Sequence, residues 1–367
     1  MPETTTKKTP VTKKAPAFKR QKVMEKVLLA LSPAAVGAVY FFGWRTMAMT
    51  LWVMGVACVT EYLLAKRRGD PLTGSCLVTG ALLGLALPPT LPFWMGAVGA
   101  VVGVAFGKEL FGGFGRNVFN PAIVGRAFLY VSFPEAMTKW FIPAFQGGPG
   151  GLLSWGGRRT MEVNGEVVDA LTAATPMWFR RDIGFPETFT FWDQIKQLFS
   201  GGIGGVFEGA DGGWHILAAG SAGEVSALLL LVGGIYLLVT KTANWRLVAS
   251  SFAGAAGASL IFRHVLGAAA VPPVLFTLFS GAMVYACFFM VTDPVSAPKN
   301  KQAQLWYGAF IGMLIVFFRW KAVFAGGVAF AILLGNTVGP TLDLIFKARA
   351  DKKKAKTAAK PAAAEGA

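Results

Sequence analysis

Charged residues, cysteine and histidine are all scarce in this chain of 367 residues. Charged residues make up 15% of it, whereas a soluble domain averages about 25%. The three cysteines, Cys58, Cys76 and Cys287, form no Cys-x-x-Cys pair, and His215 and His264 stand apart. The chain therefore offers no zinc or iron–sulfur site of its own. These shortages argue against a soluble metalloenzyme.

The chain has apolar stretches instead, and 54% of its residues are hydrophobic. A helix needs about 20 apolar residues to cross the hydrocarbon layer, and Gly or Pro breaks are tolerated where the backbone is buried in protein or lines a cavity. The sequence therefore predicts an all-α polytopic membrane protein with about ten transmembrane helices. We place these helices at residues 27–43, 46–64, 72–88, 92–107, 119–133, 222–239, 246–262, 274–292, 305–318 and 322–346.

Positive charge is concentrated at the two ends of the chain. Residues 1–26 carry eight Lys or Arg against two acids, and residues 347–367 carry seven against two, so these tails supply +11 of the net +16. Basic segments beside membrane spans stay in the cytoplasm, which predicts two cytoplasmic tails. Their Lys/Ala-rich composition predicts disorder, and we do not expect nucleic-acid binding. Lys108 and Arg116 are predicted in a loop on the same side.

The apolar part divides into two similar halves. Leu-Val-Thr-Gly-Ala-Leu at residues 77–82 corresponds to Leu-Phe-Ser-Gly-Ala-Met at 278–283, and Asn-Pro at 120–121 corresponds to the region 336–340. Five spans per half is an odd number, so the halves must insert in opposite orientations, as inverted repeats do. The alternative is chance similarity between Gly/Ala-rich helices. We predict a basic arm at 1–26, transmembrane repeats at 27–133 and 220–346, an external loop-rich insert at 134–219, and a basic tail at 347–367.

The insert contains the motif Asp-Ala-Leu-Thr-Ala-Ala-Thr at residues 169–175. Asp169 and Thr172 precede Thr175 by six and three residues. Pro176 disfavours helical backbone at Thr175, which predicts an extended residue that presents its hydroxyl. Such a hydroxyl becomes an attachment point only where an enzyme recognises its context. The alternative is a helix N-cap or a plain turn.

Three further segments accompany this motif. They are the Gly/Asn-rich stretch 112–126, Gly-Ser-Ala-Gly-Glu-Val-Ser at 220–226, and Thr-Asp-Pro-Val-Ser-Ala-Pro at 292–298. Together the four motifs resemble the membrane family that contains the RnfD component of Rnf complexes and the NqrB component of the sodium-translocating NADH:quinone reductase. The resemblance covers about residues 27–346 and is closer to the Rnf branch, because residues 1–26 are short for the other one.

The resemblance implies a fold of two inverted five-helix repeats, similar to urea transporters, and two flavins. FMN would be joined to Thr175 through a phosphoester bond. Riboflavin would be held noncovalently by Asn117 and Asn120, which match the family's Asn-Pro-Phe-Asn-Pro motif. Structurally, these Asn side chains can instead brace a broken helix. Ala173 and Val118 depart from the Gly and Pro usual in the two motifs.

Charged residues of the same segments are further candidates. Arg116 and Arg126 can neutralise a flavin phosphate, and Arg116 is alternatively a cytoplasmic anchor. Ionisable residues inside a membrane are costly and therefore functional candidates, so Glu61, Glu224 and Asp293 are candidates for an ion path. For Asp293 the alternative is N-capping of the next segment.

The implied function is electron relay within a bacterial inner-membrane complex that links ferredoxin and NAD and couples this chemistry to Na⁺ or H⁺ translocation. The implied partners are other membrane and iron–sulfur subunits, an external FMN-bearing subunit, and a flavin transferase for maturation. The alternatives are the NqrB component of the quinone reductase and, in another class, a flavin-free solute channel of the same fold.

Overall fold

The computed structural model describes the backbone of residues 18–156, 160–163, 166–169, 174–322 and 326–364, and the side chains of residues 18–156, 174–322 and 326–352. Its first block of helices contains α1 (Lys22–Phe42), α2 (Trp44–Arg68), α3 (Ser75–Leu85), α4 (Phe93–Gly107) and α5 (Pro121–Ser132). A short parallel pair, β1 (Phe18–Lys19) with β2 (Leu72–Thr73), ties the N-terminal arm to the loop after α2.

The insert is more regular than the loop-rich segment that its composition predicts. It contains α6 (Pro134–Thr138), the antiparallel pair β3 (Thr160–Val163) and β4 (Glu166–Asp169), α7 (Pro176–Trp178), α8 (Phe191–Ser200), and the antiparallel pair β5 (Gly205–Glu208) and β6 (Trp214–Leu217). The sequence Asn-Gly at residues 164–165 favours a hairpin, which composition alone does not reveal.

The second block contains α9 (Ala227–Val239), α10 (Trp245–Leu260), α11 (Val274–Phe279), α12 (Met283–Tyr285), α13 (Lys301–Lys321) and α14 (Gly327–Ala364). One π turn continues each of α7, α10 and α12. The last helix passes the predicted boundary at residue 346, so the tail is helical as far as Ala364 rather than disordered. Lys and Ala, which dominate it, are strong helix formers.

Six helical stretches of the described chain are long and apolar enough to cross a membrane, and α3, α5 and α9 are shorter apolar helices. This confirms the predicted polytopic all-α membrane protein. Four of the ten predicted spans, at residues 72–88, 119–133, 222–239 and 274–292, are short or broken. Two prolines follow the end of α3, and Gly281, with φ of 55°, lies between α11 and α12. Proline cannot donate to a helix, and a positive φ favours glycine.

The two blocks run in opposite directions relative to the insert. α1 reaches the insert with its C-terminal end, where Phe41 O accepts the backbone N–H of Phe145 (2.8 Å). α9 reaches it with its N-terminal end, where Ser226 Oγ donates to Phe199 O (2.7 Å). An inverted repeat requires this arrangement. We call the end of the molecule that carries residues 134–219 the insert face, and the end that carries β1 and β2 the tail face.

Helices within each block approach one another closely at glycines. A Cβ atom on Gly125 of α5 would lie 2.3 Å from Gly99 O of α4, and one on Gly254 of α10 would lie 2.2 Å from Ala309 O of α13. Small residues allow such close backbone contact, and packing of this kind drives helix association in lipid, where the hydrophobic effect does not.

We expect Gly125→Ala to destabilise the protein by about 1–3 kcal/mol, because an added Cβ overpacks the contact between α4 and α5. Gly257→Ala in α10 is the matched control, since no atom lies within 4 Å of a Cβ built there. Thermal unfolding of the detergent-solubilised protein should show a lower midpoint for Gly125→Ala alone. Equal midpoints for the two variants would contradict the close packing.

Candidate functional site

The two blocks meet where their shortened helices end. At the C-terminal end of α3, Leu85 O accepts the backbone N–H of Gly223 (2.7 Å). The buried hydroxyl of Tyr285 donates to Leu82 O (2.9 Å). Helix ends inside a membrane need such partners because lipid offers none. These contacts hold the segment before α9 against α3, beside a space between the blocks.

This space is a cavity of about 410 Å³ at the insert face. Residues of α5, α7, the start of α14 and the segment before α9 line it. Small-molecule sites usually have volumes of about 300–1,000 Å³, so the cavity is large enough for a cofactor. We call it the insert cavity. Its charged lining residues are Arg126, Lys139, Arg181, Glu224 and Arg319.

Thr175 lies on the wall of the insert cavity, directly before α7. Its backbone is extended (φ −72°, ψ 157°), as Pro176 predicts. Its Oγ1 accepts the N–H of Trp178 at 3.4 Å, so the residue is also an N-cap. Both backbone groups of Ala174 bond to residues 216 and 218 (3.1 and 2.7 Å). The N-cap uses one lone pair of the hydroxyl and leaves its proton available.

The other two residues of the motif are only partly described. The backbone of Asp169 ends β4 and pairs with Thr160. Its side chain and all of Thr172 lie outside the described residues. Their predicted role in recognition stays a prediction.

Arg126 and Glu224 form a buried ion pair on the wall of the insert cavity, with Nη1 and Oε1 2.7 Å apart. Arg126 Nη2 also donates to Ser221 Oγ (3.1 Å). The paired atoms are close but poorly aligned. Within the described part of the chain, Arg126 Nε and Nη1 and Glu224 Oε1 have no hydrogen-bond partner. These atoms are buried behind the cavity surface, so the pair contributes charge to this wall rather than hydrogen-bonding groups that a ligand can reach.

Arg319 gives the insert cavity a positive charge without a counterion. Its guanidinium donates to Thr277 O (2.9 Å) and Ser280 O (3.0 Å) at the end of α11. None of the described acids forms an ion pair with it. Arg181 differs, since it pairs with Asp182 (2.9 Å). The cavity therefore favours a ligand with negative charge.

Glu61 lies in a second buried ion pair, with Lys108. We call this pair closed because hydrogen bonds within the protein surround both charged groups. Lys108 Nζ donates to Glu61, Thr73 Oγ1 (3.0 Å) and Ser75 Oγ (2.6 Å). The backbone N–H of Thr73 donates to Glu61 Oε1 (3.0 Å). Lys108 lies between α4 and α5 near the tail face, as its predicted place in a loop requires, but it is only 2% exposed. A helical turn after α4 folds it back into the protein, where Glu61 neutralises it.

Asn117, Asn120 and Asp293 line a smaller cavity of about 60 Å³ near the tail face. Asn120 Oδ1 accepts the N–H of Ala122 (3.0 Å) and so caps α5. This confirms the bracing role that was the alternative for Asn120. A volume of 60 Å³ holds a few water molecules and is far below that of a cofactor site. The residues assigned to riboflavin therefore do not fit one in this structure.

The remaining candidate site residues, Asp293 and Arg116, do not lie in the insert cavity. Asp293 accepts the N–H of Val295 (3.1 Å) and the hydroxyl of Ser296 (3.0 Å), as its capping alternative predicts. Arg116 is exposed and lines neither cavity, which agrees with the anchor interpretation. Of the predicted residues, the insert cavity brings together Thr175, Arg126 and Glu224.

Three cations of the insert cavity were not predicted from the sequence. Arg181 follows Thr175 by six residues, and this spacing was the available clue. Lys139 and Arg319 come from distant parts of the chain, and only the fold brings them together. Burial and the nearby charge of Arg263 lower the pKa of Arg180, so a further pair of basic residues lies close together in addition to those of the cavity.

The fold and the cavity define a class: a polytopic membrane protein with a large, positively charged cavity between two helical blocks, bordered by an insert that presents an extended Thr. The chain belongs to the NQR2, RnfD, RnfE family, whose model matches residues 5–352. This confirms the family recognised from the four motifs.

Individual relatives agree with the predicted Rnf branch. The D component of the proton-translocating ferredoxin:NAD⁺ oxidoreductase complex of Clostridium ljungdahlii is 34% identical over 325 residues, 88% of either chain. The D component of the ion-translocating oxidoreductase complex of Alcanivorax borkumensis is 35% identical over 334 residues, 89% of this chain and 91% of that one. The corresponding component from Stutzerimonas stutzeri is 34% identical over 345 residues, with coverage of 90% and 91%.

We expect Glu61→Gln to destabilise the protein by about 3–5 kcal/mol, because it leaves the buried ammonium of Lys108 without a counterion. The double variant Glu61→Leu with Lys108→Met should lose less, since it removes both charges. The control is Glu135→Gln, which breaks an exposed pair with Lys139 worth at most about 1 kcal/mol. Thermal unfolding in detergent measures all three. A double variant less stable than Glu61→Gln would refute the closed-pair interpretation.

Proposed function

We propose that this chain is the flavin-carrying membrane subunit of an Rnf-type ferredoxin:NAD⁺ oxidoreductase complex, and that it relays electrons through FMN joined to Thr175 by a phosphoester bond. Membership of the family supports the complex. The position of Thr175 on the wall of the insert cavity supports the attachment site.

The chemistry of the insert cavity suits FMN. A phosphodiester carries one negative charge, and the isoalloxazine edge carries hydrogen-bond donors and acceptors. Arg319 offers positive charge on the cavity wall and forms no ion pair with a described acid. The flavin would supply the redox chemistry, while the protein supplies position and electrostatics.

The protein's own groups have two tasks in this proposal. The insert holds Thr175 at the cavity through the backbone bonds of Ala174. The arginines then stabilise negative charge that reduction adds in the cavity, because charges interact strongly where water is excluded. Riboflavin at Asn117 and Asn120 is left out of the proposal, since the cavity there is too small.

Electron transfer would be coupled to Na⁺ or H⁺ movement. Of the three acids considered for the ion path, Glu61 and Glu224 have basic partners, and Asp293 has none among the described residues. An unpaired acid that lines a small cavity suits ion binding better than a paired one. Asp293 is therefore our candidate for this step.

The setting of the proposal is a bacterial inner membrane. The basic tails would lie in the cytoplasm and the insert outside, as positive-inside placement favours. The partners would include an external FMN-bearing subunit, iron–sulfur subunits and a flavin transferase. Assembly with other subunits is what the names of the relatives state for those proteins.

Thr175→Ala should abolish covalent flavin. After coexpression with a flavin transferase, the denatured wild-type band should fluoresce in the gel, and the band of Thr175→Ala should not. Thr138→Ala is the matched control, because Thr138 lines the same cavity. Trypsin should release residues 160–180 as one peptide, since no Lys or Arg lies between Arg159 and Arg180. Fragmentation of this peptide locates the modified residue.

A colourless wild-type band would refute covalent attachment and favour a flavin-free channel of the same fold. Modification of Thr172 or Thr160 in the peptide would contradict attachment at Thr175. It would also remove the reason for assigning the flavin to the insert cavity.

Arg319→Gln should lower the reduction potential of the bound flavin. A unit charge within about 10 Å at an effective dielectric constant near 20 is worth roughly 1–2 kcal/mol, which corresponds to roughly 40–90 mV for one electron. Redox titration of the flavin absorbance measures the shift. Arg319→Lys should restore most of the potential, and Arg116→Gln should leave it unchanged because Arg116 lines neither cavity. Equal potentials in all variants would place the flavin elsewhere.

A further inference from the structure

An open groove of about 490 Å³ lies near the tail face, between the turn that joins α9 to α10 and the segment that joins α12 to α13. Three basic residues line it: Lys241, Arg246 and Lys299. We call it the tail groove. It is separate from the insert cavity, although Asp293 lines both this groove and the smaller cavity near the tail face.

The tail groove has more basic than acidic side chains: Asp293 lines it, and Asp343 accepts the backbone N–H of Lys299 (2.8 Å). None of the three basic side chains forms an ion pair with a described acid. The one acid in the groove, Asp293, directs its carboxylate oxygens to its own turn through two hydrogen bonds (3.1 and 3.0 Å). The groove thus has a net positive charge that an anionic group can neutralise.

Lys241 occupies a position that favours glycine. Its φ is 54°, and in the described chain it is the one non-glycine residue with a positive φ. It follows the end of α9, where Thr242 N donates to Leu237 O (2.9 Å). Helices commonly end on glycine in this left-handed conformation. Backbone strain of this kind clusters at ligand sites, so it directs attention to the Lys241 side chain.

The residues around the groove have the composition expected at the headgroup level of a membrane. Trp245 at the start of α10 is 59% exposed, and the guanidinium of Arg246 lies over its ring, 5.0 Å from the centroid. Exposed tryptophans mark the boundary between hydrocarbon and water. On α9, Val232, Ile235 and Val239 are exposed at three- and four-residue spacing and form one apolar stripe. This stripe ends at the groove.

From these features we propose that the tail groove binds the phosphate of an anionic phospholipid of the adjacent leaflet. Lys241, Arg246 and Lys299 would contact the headgroup, and the stripe of α9 would contact an acyl chain. Basic pockets between transmembrane helices bind such headgroups. Soluble phosphate would meet the same cations but would gain nothing from the stripe, which is why the lipid is the favoured source.

The test measures lipid retained by the full chain within its complex. The complex is reconstituted with equal parts of phosphatidylglycerol and phosphatidylcholine, extracted in detergent, and analysed by native mass spectrometry. The groove variant is Lys241→Gln, Arg246→Gln and Lys299→Gln combined. The control is Lys22→Gln, Lys66→Gln and Arg67→Gln combined, which removes the same charge near the same face.

We expect the groove variant to retain roughly tenfold less phosphatidylglycerol than the wild type, and the control variant to retain as much as the wild type. An excess of inorganic phosphate should not displace the lipid. Equal retention by the two variants would overturn the proposal. Displacement of the lipid by phosphate would also overturn the proposal. Lipid that is retained by the isolated chain but absent from the complex would overturn it as well, because a partner subunit would then cover the groove.

Lys241→Gly separates a binding role from a structural one. It relieves the backbone strain and removes the charge, so the midpoint of thermal unfolding in lipid-free detergent should rise while retention of phosphatidylglycerol falls. A lysine with only a structural role would leave lipid retention at the wild-type level, and that result would overturn its place in the site.

Discussion

The need to satisfy backbone hydrogen bonds without water is the constraint on which this structure depends. A transmembrane helix meets it internally, but shortened helices expose unpaired groups at their ends. Leu85 O at the end of α3 takes its partner from Gly223 of the other block, and the backbone N–H of Asn120, before α5, donates to Asn336 Oδ1 of α14 (3.1 Å). Each block thus completes the other. The insert cavity lies between the two blocks at the insert face, where residues of α5 and of the start of α14 line it.

The two buried ion pairs show how similar residues serve different purposes. Both have basic and acidic side chains that are at most 6% exposed. Hydroxyl and backbone groups surround Glu61 and Lys108 and leave no described polar atom of the pair unpartnered. Arg126 and Glu224 lack such a shell on the cavity side. A complete shell of hydrogen bonds stabilises a buried pair, because it satisfies the lone pairs and protons that the ions do not share with each other. The first pair is therefore structural support, whereas the second places a buried charge pair on the wall of the insert cavity.

Local sequence predicts those parts of the structure that local chemistry determines. Hydropathy located the helices, and Pro176 predicted the extended backbone of Thr175, because each effect acts within a few residues. The burial of Lys108 was not predicted because it depends on Glu61, which is distant in sequence. Arg319 went unnoticed for the same reason, since only the packing of α13 against α11 brings it to the cavity. Net charge in a cavity is a sum over distant segments, and no motif encodes it.

Covalent attachment at Thr175 would change what the insert cavity has to do. A freely bound cofactor must be held by affinity, which requires many close contacts. A tether instead gives a high effective concentration without any new contact. The insert cavity can then stay open at about 410 Å³, and its arginines are available to set the energy of the added electron rather than to prevent dissociation. A tether positions its ligand only as well as its own anchor is fixed. The backbone hydrogen bonds of Ala174 to residues 216 and 218 would fix this anchor beside Thr175.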